Sequence, residues 1–266
     1  GFLVGNRFKV VLREMDKRDA KKVGSMIRKV DSFGNYFGPQ RFGSVRGNNV
    51  KVGKLIIKRK FREAIWAILT DTSVKEREEV TEARERLEDE GDYQKATEYF
   101  PRYLRFEKSL IDYLARNPGD YLGALKRVER KICLMFVNSV QSKIFNDVLD
   151  AGLAEEFNFK TKGQQKIPLF GYRSKFDEGR LGEIERAIME RHGICFDDFN
   201  VLEIPFLRLK GDLRNALVVI GDLDVKISED EFFENATKMM LSFRLPKGVY
   251  AATFLSNFFM LEECRD

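Results

Sequence analysis

The residues best suited to gripping a flat, charged ligand lie together in GNYFGPQRFG (34–43). Three glycines, three aromatics, one arginine and two side-chain amides fall within ten positions. Glycine tolerates positive φ and lets a partner approach the backbone closely. Tyr36, Phe37 and Phe42 can stack on a base or anchor the loop, and Arg41 can meet a phosphate or form a local ion pair. Other chemistries have less material. The single histidine, His192, stands before Gly193 at a helix end, where its charge would complement the helix dipole. With one imidazole and the scattered Cys133, Cys195 and Cys264, the sequence offers no zinc ligand set, no Ser-His-Asp or Cys-His arrangement and no disulfide framework. GNNVKVGKL (47–55) imitates a phosphate-binding P-loop, but its glycine spacing is one residue too long. Leu55 also stands where a hydroxyl must reach magnesium. No GxGxxG run supports a dinucleotide site. Carboxylate chemistry or pure binding remains, with no cofactor and no metal expected.

The 266 residues carry a net charge of +5, unevenly spread. Residues 1–69 hold 17 Lys+Arg against 5 Asp+Glu, a balance of +12, and the remainder carries −7. The basic part interleaves charge with glycines and aromatics, which favours a polyanion such as nucleic acid over a merely solvated face. No apolar run approaches the roughly 20 residues that span a bilayer, and no secretory pattern opens the sequence. Odd, dispersed cysteines fit a reducing compartment, so a cytoplasmic location is expected.

The elements that must position these residues read as α+β. GNRFKVVLRE (5–14) alternates apolar and polar residues from Phe8 to Leu12, as a strand does. Asp16 or Asp19 can cap a helix reaching about Val30. A basic helix is predicted from about Val52 to Leu69. The charge-laced run 75–91 reads as a solvated outer helix that stops at Gly91. Helices follow over 106–116, 120–127 and about 130–150, and in the last of these Gln141, Ser142 and Asn146 need partners if buried. FNFK (157–160) and KIPLFGY look extended. A helix bounded by glycines covers GRLGEIERAIMERHG, and 216–227 is strand-rich. A final strand, a Pro-Lys-Gly turn (246–248) and a terminal helix close the chain.

Five blocks occur in a fixed order: GNRFKVVLRE, GNYFGPQRFG, SVQSKIFNDVL (139–149), IPLFGYRSKFDEGRLGEIERAIMERHGI (167–194) and FRLPKGVYAATFL (243–255). Together they resemble the TruD family of tRNA pseudouridine synthases, whose patterns run close to GNxFxxxLRE, PNYFGxQRFG, QSxxFN and LPKGSYAT. The resemblance implies a cofactor-free enzyme that isomerises a uridine of tRNA, typically at position 13. It implies a mixed-sheet pseudouridine synthase domain, here 1–48 and 215–266, joined to a largely helical inserted domain over 49–214. Phe37 matches the loop aromatic that stacks on the target base. Asn35 matches the amide that organises the catalytic aspartate. Arg41, Arg46, Lys51 and Lys54 are the expected RNA contacts, and Gln141 and Asn146 are expected to pin the long helix near the loop.

Members carry the catalytic aspartate in a motif near KDKRAxTxQxxS, upstream of the first strand, and these 266 residues open directly before that strand. MDKRDAKK (15–22) shares three letters with the motif, yet Asp16 follows the strand, lacks the Thr and Q-x-x-S, and reads as a helix start. Asp16 is therefore rejected as the nucleophile, and the aspartate is expected from a segment missing here. Val249 replaces the family serine, and SNFF (256–259) stands where an LRE-like run is usual. The alternative to an enzyme deprived of its aspartate is a non-catalytic RNA-binding protein of the same fold.

Overall fold

The computed structural model describes residues 4–159 and 165–259, so Cys264 and the Lys160 that ends FNFK fall outside it. Helices and antiparallel strands form two compact units. The first holds residues up to Gly38, Phe157–Ile167 and those from Asn215 onward; the second holds Pro39–Glu156 and Pro168–Arg214.

In the first unit the predicted alternation becomes β1 (Gly5–Met15), antiparallel to β7 (Thr237–Pro246), which pairs on its other side with β6 (Gly221–Glu229). The register sets Phe8 opposite Phe243, and sets Leu241 between Val10 and Val225. Along β7, Thr237, Met239, Leu241, Phe243 and Leu245 are all buried, a period of two that faces the core. Helix α1 (Lys17–Ile27) packs on β6 and β7 with Ala20, Gly24 and Ile27 inward. The short terminal helix α10 (Ala251–Leu255) supplies Phe254, whose ring centroid lies 4.9 Å from Phe243 and 5.3 Å from Phe33. Phe33 belongs to β2 (Ser32–Gly34), which is antiparallel to β5 (Leu217–Val219).

The second unit is mainly helical. The single basic helix predicted from Val52 to Leu69 is instead two, α2 (Asn49–Ile57) and α3 (Phe61–Thr70). The break is held at Arg59, whose φ is +59°. Its guanidinium donates to the carbonyls of Ile57, Asp198 and Asn200 at 2.6, 3.0 and 2.8 Å, and these bonds offset the strain of a left-handed non-glycine residue. Four helices follow: α4 (Glu78–Glu90), ended by left-handed Gly91, then α5 (Tyr93–Tyr99), α6 (Arg105–Arg116) and α7 (Tyr121–Arg127). The long α8 (Arg130–Ala154) is the spine. It packs against α2 and against α9 (Gly179–His192), which ends at left-handed Gly193 as its sequence predicts.

Gly53, part of the false P-loop, lies within α2 where that helix crosses α8. A Cβ there would sit 2.2 Å from the Phe136 carbonyl oxygen, so the glycine lets two backbones touch. Gln141 is buried on α8 and donates from Nε2 to the Phe170 carbonyl at 2.7 Å, a structural bond but not one to the glycine-aromatic loop. Its partner is Phe170, and α8 packs on the turn Pro39–Phe42 by other contacts. Two short strands, β3 (Lys166–Leu169) and β4 (Asp212–Asn215), pair with each other. Among the described residues no helix is long and apolar enough to cross a membrane.

Candidate aromatic turn and basic surface

β2 carries the glycine-aromatic segment out of the first unit's core. Phe33 faces Val218 and Gly34 faces Leu217 across the ladder. The pairing then runs one residue further than the strand. Asn35 donates its backbone N–H to the Ala216 carbonyl at 2.8 Å and its side-chain Nδ2 to the Asn215 carbonyl at 2.9 Å. Asn35 is buried, so these two bonds satisfy groups that would otherwise be costly to desolvate. Gly34 has a steric reason to be glycine: a Cβ would lie 2.4 Å from Cε2 of Tyr36, whose ring folds back over it. Phe37 comes next and is half-buried. A stacking platform needs an aromatic ring with part of its surface open, and Phe37 stands two residues after the hydrogen-bonded Asn35.

The carboxylate nearest in sequence to a family motif does something else. Asp16 caps α1, with Oδ1 accepting from the N–H groups of Arg18 at 2.7 Å and Asp19 at 3.2 Å. Those backbone bonds, Arg18 foremost, hold its carboxyl below the usual range. That is an ordinary N-cap.

In the second unit Arg41 rides on the 3-10 turn Pro39–Phe42, against which α8 packs. The turn is clamped from α2, because Asn49 Nδ2 donates to the Arg41 carbonyl at 3.3 Å. Lys51 on α2 is 58% exposed and pairs with Asp71 at 2.6 Å. Lys54, one turn on, is less open and donates to the carbonyl of His192 at 3.4 Å. Burial lowers the Lys54 ammonium below its usual pKa; Asp147 opposes that effect and Lys143 adds to it.

Arg46, an expected RNA contact, is turned inward instead. Only 15% of its side chain is exposed. Its Nη1 donates to the Ile68 carbonyl at 2.5 Å, Nη2 lies 3.5 Å from Glu107 and Nε lies 3.7 Å from Glu76. All three guanidinium nitrogens therefore face protein acceptors. The same two glutamates hold Arg84 of α4, at 3.0 Å from Glu107 and 3.2 Å from Glu76, while its Nη1 donates to the carbonyls of Ile68 and Leu69. Arg84 is 1% exposed, which corrects the reading of 75–91 as a wholly solvated helix. Burial, then the charge of Arg84, pulls Arg46 below its usual pKa against the two glutamates. No local pattern announces this four-residue cluster, since its members come from the loop before α2, the run 75–91 and α6.

Comparison with known proteins places these features in one family. The family described as tRNA pseudouridine synthase D (TruD) matches residues 1–166 and again 160–258. A probable tRNA pseudouridine synthase D of Methanopyrus kandleri is 33% identical over 264 residues, covering 96% of this chain and 64% of that protein. One from Thermoplasma volcanium is 31% identical, covering 99% and 70%. The crystal structure of the putative tRNA pseudouridine synthase D (TruD) from Methanosarcina mazei superposes with a TM-score of 0.88 at 27% identity, over 97% of this chain and 69% of that one. The chain thus spans about two thirds of the length of the relatives it matches. By the near-complete match to the family, over the blocks that build the pinned aromatic turn and the long helix, this chain belongs to the TruD family.

Proposed function

We propose that these residues form the greater part of a tRNA pseudouridine synthase that isomerises one uridine of tRNA, the position-13 uridine being the expected target. In this reading the first unit belongs to the catalytic domain and the helical second unit is the family-specific insertion. The attacking aspartate comes from sequence outside these 266 residues. In support, the relatives extend well beyond the matched region, and Asp16 is occupied as a helix cap.

The reaction exchanges one bond for another. The N1–C1′ bond breaks, the uracil turns while held, a C5–C1′ bond forms, and the proton lost from C5 is balanced by one gained at N1. A carboxylate acts at the ribose or as the base. The target nucleotide must first leave its stack. Phe37 holds the freed ring by stacking, Asn35 fixes the turn that carries Phe37, and Arg41, Lys51 and Lys54 meet phosphates. Arg46 keeps a structural role here. The observation that carries the reading is the pinned turn: Asn35 is bonded to the Asn215 and Ala216 carbonyls, and two residues on, Phe37 is left part-open.

The test is pseudouridine formation in a tRNA transcript. The 266-residue chain should bind the transcript in a salt-sensitive way and form no pseudouridine, whereas the same chain preceded by a segment bearing a KDKRAxTxQ motif should form it. Product from the shorter chain would place the nucleophile within these residues. Absence of product from the longer one would favour a non-catalytic RNA-binding role.

A further inference from the structure

The second unit gathers cations around one buried carboxylate. Asp147 of α8 is 10% exposed at its side chain. Its Oδ1 accepts from Lys143 at 2.5 Å, and its Oδ2 lies 2.7 Å from Nε2 of His192 and 3.8 Å from Arg191. Lys54 approaches from α2, bonded to the His192 carbonyl and coupled in charge to both Asp147 and Lys143. Three basic side chains, Lys54, Lys143 and Arg191, thus stand about a single anion.

Tethering α8 to α9 does not require this excess. The bond from His192 to Asp147 already joins the two helices. The C-terminal carbonyls of α9 attract cations, which explains where Lys54 sits. Lys143 lies in the middle of α8, where no helix end exists to attract it, and its side chain is 44% exposed. Arg191 is 63% exposed, with one nitrogen at long range from Asp147 and most of its planar fork turned to solvent. Among the helical neighbours three and four positions from Lys54, Lys143 and Arg191, Asp147 is the one acidic residue. Counted over the groups seen to interact, three cationic side chains stand against one carboxylate, a surplus that an arriving anion would relieve. A fork and an ammonium held together by a fixed carboxylate suit phosphate oxygens.

We propose that Lys143 and Arg191, with Lys54 beside them, form a phosphate-contact site for the RNA backbone on the second unit, and that Asp147 is the positioning residue that holds the cations in place. This rests on the RNA-modifying role proposed above and adds Lys143 and Arg191, which lie in sequence outside the glycine-aromatic loop and the basic amino-terminal stretch that supplies Lys54. Phosphate contact of this kind fixes register on the RNA without reading sequence.

The experiment is binding of a tRNA transcript to the protein over a series of salt concentrations. Lys143→Gln combined with Arg191→Gln should make the plot of log affinity against log salt shallower by about 1.5, at about 0.7–0.9 for each phosphate that is no longer neutralised. Lys143→Arg with Arg191→Lys keeps both charges and should keep the slope, which a purely geometric role would not preserve. Both side chains are substantially open to solvent, so the unfolding temperature serves as a check that the variants are folded. An unchanged slope in the glutamine pair, with salt-sensitive binding intact in the parent protein, would overturn this site alone. No salt-sensitive tRNA binding by the parent protein would remove the RNA reading and this site with it.

Discussion

The side-chain amide of Asn35 donates to the main-chain carbonyl of Asn215 at 2.9 Å, across 180 residues of sequence. That bond and the adjacent one from the Asn35 N–H to Ala216 fix the start of the aromatic turn against the residues that lead into β5. Asn35→Asp keeps the shape but sets a carboxylate oxygen against a carbonyl. The expected cost is about 1–3 kcal/mol, the penalty of an unmet buried polar group. Urea unfolding measures it. Pseudouridine formation should fall as well, because Phe37 loses its fixed base. A variant with parental stability would mean that this bond does not hold the turn.

Phe37→Ala tests the platform itself. Stacking of one base contributes about 1–3 kcal/mol, so product formation in the complete protein should drop about 5- to 150-fold. Phe37→Tyr keeps the ring and should keep most of the activity. Stability should change little, since the ring is only half-buried and the first unit's buried aromatic cluster is built from Phe33, Phe243 and Phe254. A large loss of stability with full activity would make Phe37 an anchor.

Local signals carried much of this fold. The alternation in β1, the cap at Asp16, and the glycine stops at Gly91 and Gly193 each act within a few residues, so their pattern is written where they stand. The aromatic turn was legible for the same reason, as its glycines and rings are contiguous. What sequence could not provide was tertiary pairing. Nothing around Arg59 announces a left-handed break, because the carbonyls that hold it belong mainly to residues 198 and 200. Arg46 and Arg84 look like solvated charges until packing brings Glu76 and Glu107 to both of them. Charge counting places a residue in a basic stretch, and only packing decides which way it faces.

That cluster makes a stability prediction that separates the two arginines. Removing Arg84 leaves Glu76 and Glu107 buried with weaker compensation and strips donors from two carbonyls. A cost of about 3–5 kcal/mol is expected for Arg84→Ala, the range for breaking a buried ion pair from one side. Arg46 is less buried and lies farther from both glutamates, so Arg46→Ala should cost less. Thermal or urea unfolding of both variants checks the order. If Arg46→Ala proves milder for folding yet abolishes tRNA binding, its guanidinium meets RNA after all.

The last prediction concerns pH and Glu185, which lies fully buried on α9. Its Oε2 accepts from the Asp177 N–H at 2.8 Å, while Oε1 finds no partner among the described residues. Burial, opposed by that bond and reinforced by the nearby Asp177 charge, pushes its carboxyl up to about 7; the Arg186 charge pulls the other way. Between the ordinary carboxyl value of 4.5 and about 7, the folded state holds a proton that the unfolded state has lost. Stability contributed by the protonated group is thus complete below about pH 4.5 and declines as pH rises through about 7, by about 3 kcal/mol in all at 1.36 kcal/mol per unit. Asp147 does not blur the window. Although burial acts to raise it, its bonds from His192 and Lys143 hold it below the usual value of 3.8, so its contribution is lost only in stronger acid. Glu185→Gln cannot ionise and should flatten the decline when unfolding is measured from about pH 5 to about pH 8. A variant whose stability still falls with the parental slope would show that Glu185 keeps its charge in the folded protein.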